Sequence, residues 1–405
     1  LEWSPNAISP LIADPKRHQR FVRATATGNH ERDKEQKDRR SHPRRIPINV
    51  HNEQMSRPID DVRIETTRPL ISPAIVLEEI PRSDAASAVV GEARDQIRRI
   101  ILGEDPRFLV VVGPCSIHDP VAALDYARRL RSLAMRYEDR LLVVMRAYFE
   151  KPRTVVGWKG FIMDPDLDGS HRINRGLRES RALLRDLAEM GLPTATEFLD
   201  MTVPQYIADF ISWGAIGART AESQPHRELA SGLSMPIGFK NPTDGRIQTA
   251  VESVLAARSP HWFASNTKDG VAAHFRSRGN DCCHIILRGG SKSGPNYDRD
   301  HVAGATEALE AAGLPTRLMI DCSHANSGKD HNRQAEVVES VAQQLEQGSY
   351  AILGVMLESN LVEGRQDWKP GQTLTYGQSI TDACLSIEAT EPLLDRLVFA
   401  LETRS

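Results

Sequence analysis

The sequence has 405 residues, 40% of them hydrophobic and 26% charged, with 51 Lys and Arg against 54 Asp and Glu for a formal net charge of −3. At about 150 residues per domain this length sets a prior of two to three domains, which a single α/β barrel with insertions can override. No apolar run approaches the roughly 18 residues of a membrane span, and the balanced charge lacks the basic face that nucleic-acid binding favours. Neither a membrane nor a nucleic acid is therefore expected as a partner. The five cysteines, Cys115, Cys282, Cys283, Cys322 and Cys384, are odd in number and widely spread. They make no disulfide framework and suit a reducing cytoplasm.

Residues 1–54 carry 11 basic and 7 acidic side chains, a charge of +4, which leaves −7 on the remaining 351 residues. The stretch from Glu31 to Arg45 has almost no apolar periodicity and cannot bury enough surface to offset the entropy of ordering, so residues 1–54 are expected to be disordered. Glu31, Asp33, Glu35 and Asp38 argue against a transit peptide, which is poor in acids. The chain starts at Leu1 and its first methionine is Met55. The expectation is that 1–54 is an upstream extension of the reading frame or a dispensable tail, followed by an arm and helix over 55–107 and the main domain over 108–405.

From residue 84 the pattern alternates helix and strand. A helix is predicted over 84–102, with Val89, Val90, Ile97, Ile100 and Ile101 on one side. FLVVVGP (108–114) is a short continuous apolar run, which is how a strand buried on both faces reads. Asp119-Pro120 is a helix start, a side-chain acceptor followed by a ring that needs no donor, and its helix is expected to run to Tyr137. Further strand candidates are RLLVVMRAYFE (140–150), PTATEF (193–198), AIGART (215–220), MPIGFKN (235–241), HWFASN (261–266), CHIILRGG (283–290), RLMIDCSH (317–324) and YAILGVMLES (350–359). Strict alternation implies parallel strands with right-handed crossovers. Eight of the nine close a (β/α)8 TIM barrel; the odd one, HWFASN, pairs with 271–277 as an added β-hairpin spanning about 261–277. A doubly wound sheet is the rival, but no GxGxxG follows the first strand.

Each apolar run ends in a reactive or charged group, and in a parallel barrel all these ends share the rim where active sites lie. Arg146, Lys151, Arg219, Lys240 and Arg288 form a cationic set suited to a small polyanion, Arg as a planar fork and Lys as a point charge. The segment KPRT (151–154) adds Arg153 and the Thr154 hydroxyl as a second anion seat. Cys115, His324, Glu358 and Asp382 form a mixed thiolate, imidazole and carboxylate set suited to a divalent first-row ion. Singly, each has a bland reading: Cys115 as a small core residue, His324 as a satisfied histidine, Asp382 as the cap of the last helix.

Taken together, GPCSIHDP (113–120), MRAYFEKPRTVVGWKG (145–160), EFLD (197–200), WGAIGARTAESQ (213–224), GFKN (238–241), HIILRGG (284–290), IDCSHANSGK (320–329) and GVMLESNLVEG (354–364) closely resemble the microbial type I 3-deoxy-D-arabino-heptulosonate 7-phosphate (DAHP) synthases. The resemblance runs from about Met55 to the C-terminus. It implies condensation of phosphoenolpyruvate with D-erythrose 4-phosphate and water, releasing phosphate, as the first step of the shikimate pathway to aromatic amino acids. It implies that Arg146, Lys151 and Lys240 hold the phosphoenolpyruvate carboxylate region and act as the catalytic cations. Ala218, Arg219, Lys240 and Arg288 would hold its phosphate, and Lys151, Pro152, Arg153, Thr154 and Asp321 the erythrose 4-phosphate. Cys115, His324, Glu358 and Asp382 would bind one divalent metal, Mn2+, Fe2+, Co2+ or Zn2+. Lys151, between the two phosphate sites, is nominated as the proton donor to the nascent alkoxide.

The family is also typically homo-oligomeric, here a homodimer or homotetramer, and inhibited by one aromatic amino acid beside the added hairpin. That pocket would involve Met201, Gln205, Leu229, Leu233, Ser234, Phe263 and Ser265, with Ser234 resembling the phenylalanine-sensitive class. Phe275 is bulkier than expected, Pro242 replaces a usual Gly, and Cys322 replaces a common aromatic and adds an oxidisable thiol. The rivals are 3-deoxy-D-manno-octulosonate 8-phosphate synthase, which shares the barrel, a class II aldolase, and a non-catalytic regulatory barrel.

Overall fold

Among the described residues two helices precede the first strand, α1 (Pro73–Glu79) and α2 (Asp84–Leu102). The Ser83 hydroxyl accepts the Ala86 N–H at the start of α2, and Gly103 ends it in the left-handed region at φ 78°, a terminus only glycine adopts freely. The apolar runs that follow become strands buried at every position: β1 (Phe108–Gly113), β2 (Leu141–Arg146), β3 (Thr194–Glu197), β4 (Ile211–Ile216) and β5 (Ile237–Lys240). Between them lie α3 (Pro120–Arg136), α4 (Ile173–Glu189), α5 (Pro204–Ile207) and α6 (Gln224–Gly232). The Asp119 carboxylate accepts the Val121 and Ala122 N–H groups and caps α3 as its sequence requires.

After α7 (Ile247–Arg258) comes an antiparallel hairpin, β6 (Trp262–Asn266) with β7 (Ala272–Arg276). The barrel resumes with β8 (Cys283–Leu287), α8 (Arg299–Ala311), β9 (Leu318–Asp321), α9 (Gln334–Glu346) and β10 (Ile352–Asn360). Short strands β11 (Val362–Arg365), β12 (Gln378–Ser379) and β13 (Leu385–Ser386) lead into α10 (Ile387–Glu402).

In this computed structural model, which describes residues 59–369 and 371–404, β1, β2, β3, β4, β5, β8, β9 and β10 pair in parallel, and β10 returns to β1. Closure of the ring excludes the open-sheet rival and matches the barrel with an added hairpin. The expectation for residues 1–54 lies outside the described residues. Residues 59–67 belong to a separate unit, in which Ile64 N–H donates to the Asp61 carbonyl at 2.9 Å. Among the described residues no helix is long and apolar enough to cross a membrane.

Two packed layers hold the barrel. Inside, Leu109, Val111, Val144, Trp213, Ile286, Met319 and Met356 form one cluster with Ile97, Ile100 and Ile101 of α2, so this helix seals the end of the barrel opposite the strand C-termini. Outside, the helices cover the other strand faces in a larger cluster. Two expectations shift. The fourth strand is Ile211–Ile216, not 215–220: at Gly217 a Cβ would stand 2.2 Å from the Glu197 carboxylate, and the chain turns there, with Thr220 N–H on the Gly217 carbonyl. The last helix is capped by Ser386, whose hydroxyl accepts the Ala389 N–H, so Asp382 is free of that duty.

Candidate active site

The strand C-termini deliver their terminal residues to one rim. Arg146, the last residue of β2, is fully buried; its Nη2 donates to Glu358 Oε1 at 3.1 Å and its guanidinium lies 4.0 Å over the Tyr148 ring. Burial opposes its charge, but Tyr148 and Glu358 more than compensate and raise its pKa. Glu358 is held by its own backbone: its N–H donates to Gln334 Oε1 at 2.8 Å and its carbonyl accepts Gln334 Nε2 at 3.0 Å.

Lys240 ends β5 and Asp321 ends β9; Lys240 Nζ stands 2.9 Å from Asp321 Oδ2. The Ser323 N–H and hydroxyl donate to Asp321 Oδ1 at 3.0 and 2.6 Å, and His324 Nδ1 lies 2.9 Å from Oδ2. Burial works against the Asp321 carboxylate, yet His324 and Lys240 hold it well below the usual range. His324 takes a left-handed backbone at φ 58°, which costs a non-glycine residue of order 1 kcal/mol and is kept only where the surroundings enforce it.

Ligand atoms of Cys115, Glu358 and Asp382 all lie within 4.8 Å of one another. His324 falls outside that group but shares a small cavity with Glu358 and Asp382. With Nδ1 engaged, its Nε2 is the atom left for a ligand's role, the arrangement by which outer partners orient metal-binding histidines. Burial, then Glu358 and Asp382, push the Cys115 thiol up to about 11. A resident cation would reverse that, because a coordinated thiol loses its proton. The donor set therefore fits a divalent ion. Burial also works against Asp382, but Lys151, His324 and Lys329 hold it below its ordinary value.

Lys151 Nζ stands 3.1 Å from Cys115 Sγ and 3.3 Å from the Cys115 carbonyl. Burial disfavours its charge, but Cys115, Glu358 and Asp382 raise its pKa above the ordinary value. Arg219 lies on the turn past β4 and its Nη2 donates to Thr154 Oγ1 at 3.2 Å. Arg153 and Thr154 are exposed, while Pro152 and Ala218 are half-buried. Arg288 is 7% exposed, and its Nε is buried without a hydrogen-bond partner. Burial and Arg219 lower its pKa against the pull of Asp321. A buried N–H with no acceptor is costly and marks a place for an incoming anion.

The model of the DAHP synthetase I family matches residues 80–395. This chain belongs to the DAHP synthetase I family. It is 55% identical over 345 residues to the Phe-sensitive phospho-2-dehydro-3-deoxyheptonate aldolase of Escherichia coli (strain K12), covering 85% of this chain and 98% of that relative. A Trp-sensitive relative from Shigella flexneri is 53% identical over 85% of this chain and 99% of its own length. The structure of phospho-2-dehydro-3-deoxyheptonate aldolase from Francisella tularensis SCHU S4 superposes with a TM-score of 0.82 at 52% identity, over 84% of this chain and 99% of that one.

A second cavity of about 470 Å³ lies beside the hairpin. Gln205, Leu229, Leu233, Ser234, Phe263 and Ser265 line it, as does Phe275, whose ring stacks 6.0 Å from that of Phe263. Met201 is not on its wall and packs against the core instead. Cys322 is fully buried, with its thiol pushed well above the usual range by burial and Asp321; the exposed thiolate that oxidation requires is not formed there. Sequence reasoning passed over Gln334 and the buried asparagines Asn241, Asn296 and Asn326, which hold the rim together. The signal available was an asparagine one residue past a catalytic-type lysine, in GFKN.

Proposed function

We infer that this family member is a DAHP synthase, condensing phosphoenolpyruvate with D-erythrose 4-phosphate and water to give 3-deoxy-D-arabino-heptulosonate 7-phosphate and phosphate. The observation that carries this reading is the 3.2 Å contact of Arg219 with Thr154. It supports two neighbouring anion seats, Lys240, Arg219 and Arg288 on one side and Arg153 with Thr154 on the other.

We assign the phosphate of phosphoenolpyruvate to Arg219, Arg288, Lys240 and the main chain at Ala218, and its carboxylate region to Arg146, Lys151 and Lys240. Pro152, Arg153 and Thr154 frame the sugar phosphate. Asp321, grouped with the sugar site by the family resemblance, pairs in the structure with Lys240 Nζ and lies 2.9 Å from His324 Nδ1. When C3 of the enol phosphate attacks the aldehyde, the carbonyl π pair becomes an alkoxide and C2 becomes cationic; water adds at C2, phosphate leaves with the C2–O bonding pair as the C2 hydroxyl becomes the keto group, and the two water protons balance the one given to the alkoxide and the one taken by phosphate. Lys151 is held protonated by its acidic neighbours, and an alkoxide is far more basic than an amine, so proton transfer from Nζ runs downhill. A divalent ion held by Cys115, His324, Glu358 and Asp382 supplies Lewis-acid polarisation when bound. The thiolate–imidazole–carboxylate mixture suits manganese, iron, cobalt or zinc.

For the hairpin cavity we propose an aromatic amino acid as effector, phenylalanine on the strength of Ser234. Its size falls in the range of small-molecule pockets, and the named relatives are Phe- and Trp-sensitive. Homo-oligomerisation is part of the same proposal, supported by the exposed Trp262 and Val271 of the hairpin region. The five free cysteines support a reducing cytoplasm as its compartment.

The test is phosphate release from phosphoenolpyruvate plus erythrose 4-phosphate, with and without chelator, by the wild type and Lys151→Ala. Metal-dependent turnover that falls by roughly 10²–10⁴ in the variant is expected for loss of a general acid. Turnover with arabinose 5-phosphate in place of erythrose 4-phosphate would replace this reading with the octulosonate one.

A further inference from the structure

The aim of the Arg288 guanidinium is set by a carbonyl. Arg288 Nη1 donates to the Gly289 carbonyl at 3.2 Å, and that same oxygen accepts Asn241 Nδ2 at 3.0 Å. Gly289 has φ 72°, and a Cβ there would stand 2.9 Å from the backbone of Ala325 and Asn326. Only glycine turns its carbonyl this way in this space.

Asn241 grips the peptide from further directions. Its Oδ1 accepts the Arg288 N–H at 2.9 Å and Asn296 Nδ2 at 3.3 Å, while Asn296 Oδ1 accepts the Gly289 N–H at 2.7 Å. Asn241 is fully buried and immediately follows Lys240. The side chain therefore ties the end of β5 to the loop after β8. With Nη1 committed to the Gly289 carbonyl, the buried Arg288 Nε is left without an acceptor.

We propose that Asn241 is a positioning residue for the phosphate of phosphoenolpyruvate. By holding the Gly289 carbonyl it fixes Nη1 of Arg288 and leaves Nε aimed at a phosphate oxygen. The proposal rests on the assignment of Arg288 to that phosphate. Asn241 touches no substrate in this scheme; it acts through Arg288.

The experiment is a double-mutant cycle of Asn241→Ala and Arg288→Ala, read as KM for each substrate, kcat and thermal midpoint of the metal-loaded enzyme. Loosening one charge-assisted hydrogen bond is expected to raise KM for phosphoenolpyruvate by about tenfold or more, with KM for erythrose 4-phosphate changed less than twofold. In the Arg288→Ala background the same substitution is expected to leave KM for phosphoenolpyruvate unmoved, because residues that act through one another are not additive. Additive effects, or an equal rise in both KM values, would make Asn241 a merely structural residue and overturn the proposal alone. An Arg288→Ala enzyme with an unchanged KM for phosphoenolpyruvate would overturn the phosphate assignment and the proposal with it. If Asn241→Ala does not fold, Asn296→Ala carries the same cycle, since it frees the Gly289 N–H on the other side of the same residue.

Discussion

The rim of the barrel and the cavity beside the hairpin hold their polar groups in different ways. At the rim, buried charges are locked in pairs: Arg146 with Glu358 at 3.1 Å and Lys240 with Asp321 at 2.9 Å. The hairpin cavity mixes apolar and hydroxyl groups, among them Phe263, Ser265 and Phe275, with the more exposed cations Lys268, Arg276 and Arg278. A reaction that moves charge needs fixed charges in place before the substrate arrives, because reorganising them during the step costs rate. An effector site needs only shape and a few polar groups, and it can give when its ligand leaves. Breaking a locked pair at the rim should therefore cost both fold and activity, whereas damage at the proposed effector cavity should cost regulation alone.

The largest break in that contrast is Arg146→Met. It leaves Glu358 buried without its cation; both side chains are almost inaccessible, at 1% and 3%. Removing one partner of a buried pair costs about 3–5 kcal/mol. Urea unfolding is expected to show that loss alongside abolished phosphate release. A fully stable variant would mean that the rim is not held by its charges.

Below the rim the barrel interior holds a buried group of another kind. His284 accepts the Trp213 indole N–H at 3.3 Å, and burial lowers its pKa to about 4. Its ordinary value is near 6.5, so between these limits the unfolded chain takes up a proton that the folded chain refuses. Stability is full above pH 6.5 and falls as the pH drops towards 4. The shift amounts to about 3 kcal/mol at roughly 1.4 kcal/mol per unit. His284→Gln is expected to flatten this part of the pH–stability curve, with Trp213 fluorescence as the reporter. An unchanged slope would place the acid lability elsewhere, in the rim carboxylates.

The two regions were also unequally legible. The rim could be read because each buried strand ends in its chemistry: Arg146, Lys240, Asp321 and Glu358 stand at or near the last position of β2, β5, β9 and β10. The alternation of runs and helices revealed the ring, and the missing helix after HWFASN revealed the hairpin. The cavity wall comes from α5, α6 and two hairpin strands, and no local pattern marks side chains that meet only across elements. Resemblance alone pointed there, and it carried Met201 with it. The asparagines were missed for a related reason. Asn241, Asn296 and Asn326 lie in three separate loops, and their hydrogen bonds exist only once β5, β8 and β9 are neighbours.

At the cavity, Phe275→Val changes the apolar wall without touching the rim. Removing the ring that stacks on Phe263 opens space for an aromatic ligand, and a change of this size in an apolar pocket is worth about tenfold in affinity. Phenylalanine inhibition is expected to tighten while kcat without effector stays constant. Inhibition that weakens instead would mean that the Phe275 ring is part of the ligand's own contact surface.

The smallest effect separates two duties that the sequence left to Asp382. Ser386 accepts the Ala389 N–H and starts α10, while Asp382 lies with Cys115 and Glu358. Ser386→Ala is expected to lower stability by about 1 kcal/mol, the usual cost of a lost cap, with phosphate release unchanged at saturating metal. Asp382→Asn is expected to do the reverse. It removes a carboxylate from the cation group, so the metal needed for half-maximal turnover rises, yet α10 keeps its cap and chemical denaturation shows no comparable loss. Four residues apart in sequence, the two side chains answer to different forces. A helix terminus needs only one oxygen for a backbone donor, whereas a cation needs several converging from strands that the chain joins late. If Asp382→Asn destabilised α10 as Ser386→Ala does, the carboxylate would belong to the helix after all, and the metal group would be reduced to Cys115, His324 and Glu358.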